Sequence, residues 1–272
     1  MDMSALKPNE KKSLEIETSG GTYQRYPVKT HVVMAGDSLT EIMDRYVKPY
    51  LEQEDMIFIS EKIIAISQGR AFDIDEIKVS PLANFLCKFV YKSPYGIGLG
   101  SPWTMELAIR DIGVPKILLA AFCSAVTKPF GKRGVFYKIV GDAGRAIDGP
   151  CDYTLPPYNH YAKLAPKDPD KVAAMLREYT GCKAVVVMDA NDIGREILGV
   201  SSPEVDIELC KEIFKDNPLG QASQQTPIAI VRKVSYASLF VTVEMLLFLS
   251  SFICVILCSF NCFLFWLKNA KV

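Results

Sequence analysis

Histidine and tryptophan are scarce, at two residues each. His31 and His160 are the only imidazoles, and the eight cysteines form no CxxC pair, so a His/Cys zinc centre has no ligand pattern to rest on. An apolar N-terminal signal segment is missing as well, because residues 1–21 are polar and charged. That excludes a disulfide framework as the expectation and points to a reducing, cytoplasmic setting for the globular part. Net charge is absent too: Lys+Arg and Asp+Glu are equal at 31 each, which argues against a protein that coats nucleic acid. There is no Walker loop, kinase signature, GxSxG or HExxH. The glycines of Tyr95-Gly96-Ile97-Gly98-Leu99-Gly100 lack the GxGxxG spacing and follow no predicted strand, so they read as a loop, with a mobile lid as the functional alternative.

What the chain does have is apolar content. It is 272 residues long and 49% hydrophobic, enough for one large or two small cores. Residues 245–267 form 23 consecutive uncharged positions, against the roughly 20 apolar residues needed to span a bilayer. The run reads as a tail anchor. A buried core helix and an extension with no bearing on the globular part are the alternatives. Three segments follow: a flexible stretch at 1–25, a folded domain at 26–234, and the apolar segment at 235–272.

Within the folded domain, residues 26–34 alternate like a strand, and Ser38-Leu39-Thr40-Glu41 is a capping box that opens a helix to about Val47. The apolar run at 55–60 predicts a buried strand. A helix starting at Ser60-Glu61-Lys62 and ended by a left-handed Gly69 follows it. Lys62 lies in the first turn, where it opposes the helix dipole, and meeting an anion would explain it. Residues 81–91 and 104–112 predict helices, the first with an apolar stripe of Leu82, Phe85, Leu86 and Phe89. Residues 116–126 and 135–140 are apolar and β-like, joined by a basic hairpin loop holding Lys128, Lys132 and Arg133. Asp168 and Pro169 begin a helix that Gly181 ends. Residues 184–188 predict a central strand, Pro203 the start of a helix, and 226–234 a last strand. The mixed order implies an α+β fold, with mixed sheets and flanking helices plus a transmembrane-like C-terminal helix.

Two acidic loops carry the candidate chemistry. Asp148 sits among Gly141, Gly144, Gly149 and Pro150, and Asp189 sits at the end of a buried strand. Carboxylates at strand ends can converge to hold Mg²⁺ or Mn²⁺ beside nucleotide phosphates. An Asx-turn at Asp148 and a cap at Asp189 are the structural alternatives. Cys151, nearby, is a small packing residue, a nucleophile or a further ligand.

Four stretches resemble one known family. They are Ala35-Gly36-Asp37-Ser38-Leu39, the run Asp55 to Ile64 with Gln68-Gly69-Arg70, Ala146-Ile147-Asp148, and Val187-Met188-Asp189-Ala190-Asn191 followed by Gly194-Arg195. Their order is similar to that of the coenzyme F-420-0:L-glutamate ligases, the F-420 γ-glutamyl ligases. The resemblance implies a γ-glutamyl-ligase-like fold, a homodimer, and amide formation in which GTP or ATP phosphorylates a carboxylate that the glutamate amine then attacks. It implies Asp148 and Asp189 as metal ligands, and Lys62, Thr30, His31 and Asn191 as nucleotide-binding residues. The partners would be a nucleotide and a small carboxylic acid, with L-glutamate a candidate. The chain also departs from the family pattern. Ala65-Ile66 replaces Ser-Lys, Gly149-Pro150-Cys151 replaces Ala-Ser-Asn, and Ala190 replaces Thr, which implies a divergent member with an altered site. A non-catalytic relative held at a membrane is the alternative.

Overall fold

The computed structural model describes residues 3–90, 98–132, 134–152, 154–190, 195–220 and 223–234. Residues Met1–Lys233 form one compact unit and Val234–Val272 another. The expected span at 245–267 and the first three residues of the expected glycine loop, 95–97, lie outside the described residues, while Gly98–Gly100 form a 3-10 turn. Among the described residues, no helix is long and apolar enough to cross a membrane.

The elements run β1 (Glu15–Thr18), β2 (Gly21–Val28), α1 (Leu39–Ile42, continued as a wider turn over Met43–Val47), β3 (Met56–Ser60), α2 (Glu61–Ser67), β4 (Ala71–Asp73) and α3 (Pro81–Leu86). Then come α4 (Pro102–Ile112), α5 (Val114–Thr127), α6 (Val135–Val140), α7 (Asp142–Arg145) and β5 (Tyr161–Lys163). The last are α8 (Pro169–Thr180), β6 (Ala184–Ala190), β7 (Arg195–Val200), α9 (Ile207–Ile213) and β8 (Ile228–Lys233).

A mixed sheet of order β1-β2-β8-β3-β6-β7 organises the unit, with β3 and β6 its parallel pair. Side chains alternate between its faces with the period of two, apart from a register shift where β7 passes Val187 and Met188. Ile57, Ile59, Val185, Val187, Ile228 and Ile230 share one core with α1, α2 and α8. Phe58, Val186, Met188, Ala229 and Val231 share another with α9, where Phe214 stacks on Phe58 at 4.2 Å between ring centroids. A third core joins α3, α4, α5 and α6 to the two-stranded β4-β5 sheet.

Several expectations change. The boundary expected at 25/26 falls inside β2, and the N-terminal stretch is not loose: β1 pairs with β2, and Asn9 donates to Thr226 Oγ1 and the Pro218 carbonyl, both at 2.8 Å. The apolar runs at 116–126 and 135–140 are helices, so the basic segment between them joins helices and is not a hairpin. Phe85 and Phe89, expected on an inner stripe, are exposed. Asp168 holds the cap position of α8 in a left-handed conformation and makes no side-chain capping bond. The helix expected from Pro203 starts later, capped by Asp206. Ser38 and Gly69 behave as read: Ser38 Oγ accepts from Glu41 N at 3.4 Å, and Gly69 has φ +69°.

Candidate functional site

The register of the parallel pair builds the site. Ser60 lies opposite Met188, so Glu61 and Asp189 leave the carboxyl ends of neighbouring strands together. Such an edge, just beyond the strand ends, is where open α/β sheets place ligands. Asp189 is in phase with Val185 and Val187, on the face that α2 covers. Asp148 arrives from the other sheet. Its N–H donates to the Lys163 carbonyl at 3.0 Å, and the Lys163 N–H returns a bond to the Asp148 carbonyl at 2.9 Å. Lys62 Nζ stands 3.9 Å from Asp148 Oδ2.

At the bottom is a pair that the sequence pattern had not marked as functional. Glu61, 2% exposed, meets Lys163, 6% exposed, with Oε1 2.5 Å from Nζ. Lys163 Nζ also donates to the Ala146 carbonyl at 2.9 Å. The other carboxylate oxygen, Glu61 Oε2, is buried with no hydrogen-bond partner among the described residues. Burial pushes the Glu61 carboxyl up to about 7, against the pull of Lys163 and with help from the Asp189 charge. Burial likewise raises Asp189, and Asp148 adds to the rise while Lys163 and Lys62 oppose it. At Lys163 burial works against the charge, yet Glu61, Asp148 and Asp189 outweigh it and hold the ammonium above its ordinary range. Three carboxyl groups thus face two ammonium groups, and with all of them ionised one negative charge is in excess.

The ligand atoms of Glu61, Asp148 and Asp189 do not form a group within 4.8 Å of one another, so a cation here would draw on the two aspartates and outside oxygens. The two aspartates offer hard oxygen ligands, and a bound cation would relieve both the excess charge and the desolvated Asp189. Around Lys62, Asp148 and Lys163 close Ile66, Ala71, Gly149, Tyr158 and Tyr161, enclosing about 10 Å³, room for about one water. Any larger ligand must therefore lie at the open side, where Asp148 is 50% and Lys62 37% exposed. A separate three-donor cluster, Asp73, Asp75 and His160, lies at the surface with its ligand atoms within 4.8 Å of one another. There Asp73 already caps the Asp75 N–H at 3.0 Å and bonds His160 at 3.2 Å.

The remaining expected site residues are placed differently. Thr30 is buried, and its hydroxyl donates to the His31 carbonyl at 2.8 Å. His31 is held between the Tyr46 hydroxyl (3.1 Å) and Asp37 Oδ2 (2.9 Å). Both serve the local loop. Tyr158 links that loop to the pocket, since its hydroxyl donates to the Val33 carbonyl at 2.8 Å while its ring lines the enclosed space. The Lys62 N–H is 3.4 Å from the Ser60 hydroxyl that caps α2. Asn191 lies outside the described residues. Cys151 donates its N–H to the Asn159 carbonyl at 3.2 Å, as a turn residue does. Lys163 could have been found in the sequence as the one charge in the run Ala162-Lys163-Leu164-Ala165, whose apolar members are all buried. A lysine at such a place needs a buried partner.

A comparison with curated proteins gives no match. Residues 27–136 match the family model for F420-0:Gamma-glutamyl ligase. The matched span holds Thr30, His31, Glu61 and Lys62, while Asp148, Lys163 and Asp189 follow it. Over that span, 110 of the 272 residues, the chain is similar to the F420-0:gamma-glutamyl ligase family.

Proposed function

We propose that this protein is a divergent, metal-dependent amide ligase that uses GTP or ATP to activate a carboxylate as an acyl phosphate for attack by an amine, with the glutamate amine as candidate. The family supports a ligase of the γ-glutamyl type. The observation that carries the rest is the convergence of Asp148 and Asp189 with Lys62 and Lys163 at the ends of the parallel strands.

Mg²⁺ or Mn²⁺ held by Asp148 and Asp189 would neutralise nucleotide phosphate charge and align the transferred phosphoryl group. The chain's own residues supply the rest. Lys62 presents a partly exposed ammonium at the open side for phosphate oxygens. Lys163, fixed by Glu61 and the Ala146 carbonyl, keeps a permanent positive charge behind the carboxylates. It stands in the wall that Ile66 also forms, so the cation that the family pattern carries at position 66 has a spatial counterpart on β5. Transfer of the phosphoryl group to the acid gives the acyl phosphate and the nucleoside diphosphate. Amine attack then forms the amide, releasing phosphate and a proton.

Calorimetry on the full chain with GTP or ATP, with and without Mn²⁺, tests this. The expected result is saturable nucleotide binding that needs the cation and weakens at least about tenfold in Asp148→Asn and in Asp189→Asn. Nucleotide binding indifferent to the cation and to both variants would overturn the metal assignment. Binding without amide product would favour a non-catalytic relative.

A further inference from the structure

Helix α5 carries its apolar residues on the wrong side. Ile117 and Ala120 are fully buried in the helical core. Val114, Leu118, Phe122 and Val126, spaced by four, are exposed together with Leu119, and Phe130 continues the row just past the helix. Phe122 is 68% and Phe130 78% exposed. At 1.5 Å per residue the helix alone runs about 21 Å, so this is an extended face and not a single stray side chain.

Charge identifies the occupant. Between Asp111 and Asp142 the sequence has no acidic residue, while it has Lys116, Lys128, Lys132, Arg133 and Lys138. Lys116, Lys128 and Lys132 are exposed beside the apolar row. A second copy docked face to face would set these cations against their own equivalents with no carboxylate from the stretch to pair them. A helix with Leu, Phe and Val on one side and lysines at its margins matches what lies flat in the headgroup layer of a membrane, where anionic lipids attract the lysines and the acyl boundary takes the apolar side chains.

We propose that α5 and the turn through Phe130 form a surface that rests on an anionic lipid bilayer. The proposal uses only residues 114–138 and is independent of the apolar run at 245–267.

Hydrogen exchange with mass spectrometry tests it on the full chain mixed with vesicles of phosphatidylcholine alone or with added phosphatidylserine. The readout is confined to peptides covering 114–130. Exchange there is expected to slow at least about tenfold with phosphatidylserine and little without it. Leu119→Ser with Phe122→Ser should abolish the protection. Lys116→Glu with Lys128→Glu and Lys132→Glu should remove the preference for anionic vesicles while the apolar row stays intact. Unchanged exchange in both vesicle types overturns the proposal. So does protection that needs no vesicles and grows with protein concentration, which would assign the face to a second copy.

Discussion

Lys163 has almost no freedom. Glu61 and the Ala146 carbonyl hold its ammonium, and its backbone is bonded both ways to Asp148. Removing that charge in Lys163→Met leaves Glu61 buried and unpaired. Urea denaturation at neutral pH should then show a loss of about 3–5 kcal/mol, smaller when Glu61→Gln is added. The pH dependence has a definite sign. Unfolded, the Glu61 carboxyl releases its proton near its ordinary 4.5, and folded it does so at about 7. Between these values the folded chain holds more protons than the unfolded one, so Glu61 makes stability fall as pH rises through that window, by an amount of order 3 kcal/mol. Glu61→Gln should flatten the fall, as denaturation midpoints across the window would show. A slope unchanged in Glu61→Gln would assign it to Asp189, which burial also raises. Of the groups around Lys163, Asp148, Asp189 and Lys62 were legible in the sequence because strand ends and a helix start mark them. Glu61 was in view only as a helix opener, and Lys163 needed the contact between the two sheets. That contact joins residues about a hundred positions apart, which no local pattern encodes.

Elements were legible where a short apolar run is sharply bounded by polar residues. The run at 55–60 and the strand at 184–188 read correctly, because continuous apolar residues bounded by polar ones fit a strand covered on both faces. Helix α5 did not. Its exposed Leu118, Leu119 and Phe122 replace the polar side that makes a helical period visible, and a short apolar run without that side is ambiguous between helix and strand. Its Ala and Leu content favours helix, and here that propensity was the better guide. The packing of β7 on α8 rests on Gly199. A Cβ added there would come within 2.5 Å of the Pro169 carbonyl carbon and 2.7 Å of the Asp170 nitrogen. Asp170 Oδ1 also accepts from the Val200 N–H at 2.8 Å, so the start of α8 is tied to the strand and cannot drift away freely. Gly199→Ala should lower stability by about 1–3 kcal/mol, read from the urea midpoint. A midpoint equal to that of the parent chain would mean that α8 shifts without cost.

Across the whole unit, Arg25 is the tie between distant parts of the chain. Its buried guanidinium donates to the Ser13 carbonyl at 2.7 Å and the Ile213 carbonyl at 2.9 Å, and it pairs with Asp216. One side chain thus joins the N-terminal stretch, β2 and the segment after α9. Arg25→Met should cost about 3–5 kcal/mol in urea denaturation, and retention of full stability would show that the tie is dispensable. The strand order has a further consequence. β8 is the last strand among the described residues, yet it lies between β2 and β3 and pairs with both. Until it is made, the β1-β2 hairpin and the β3-β6-β7 group have no shared edge. A nascent chain leaving the ribosome therefore carries two half-sheets with open apolar edges, and sheet closure waits for its final strand.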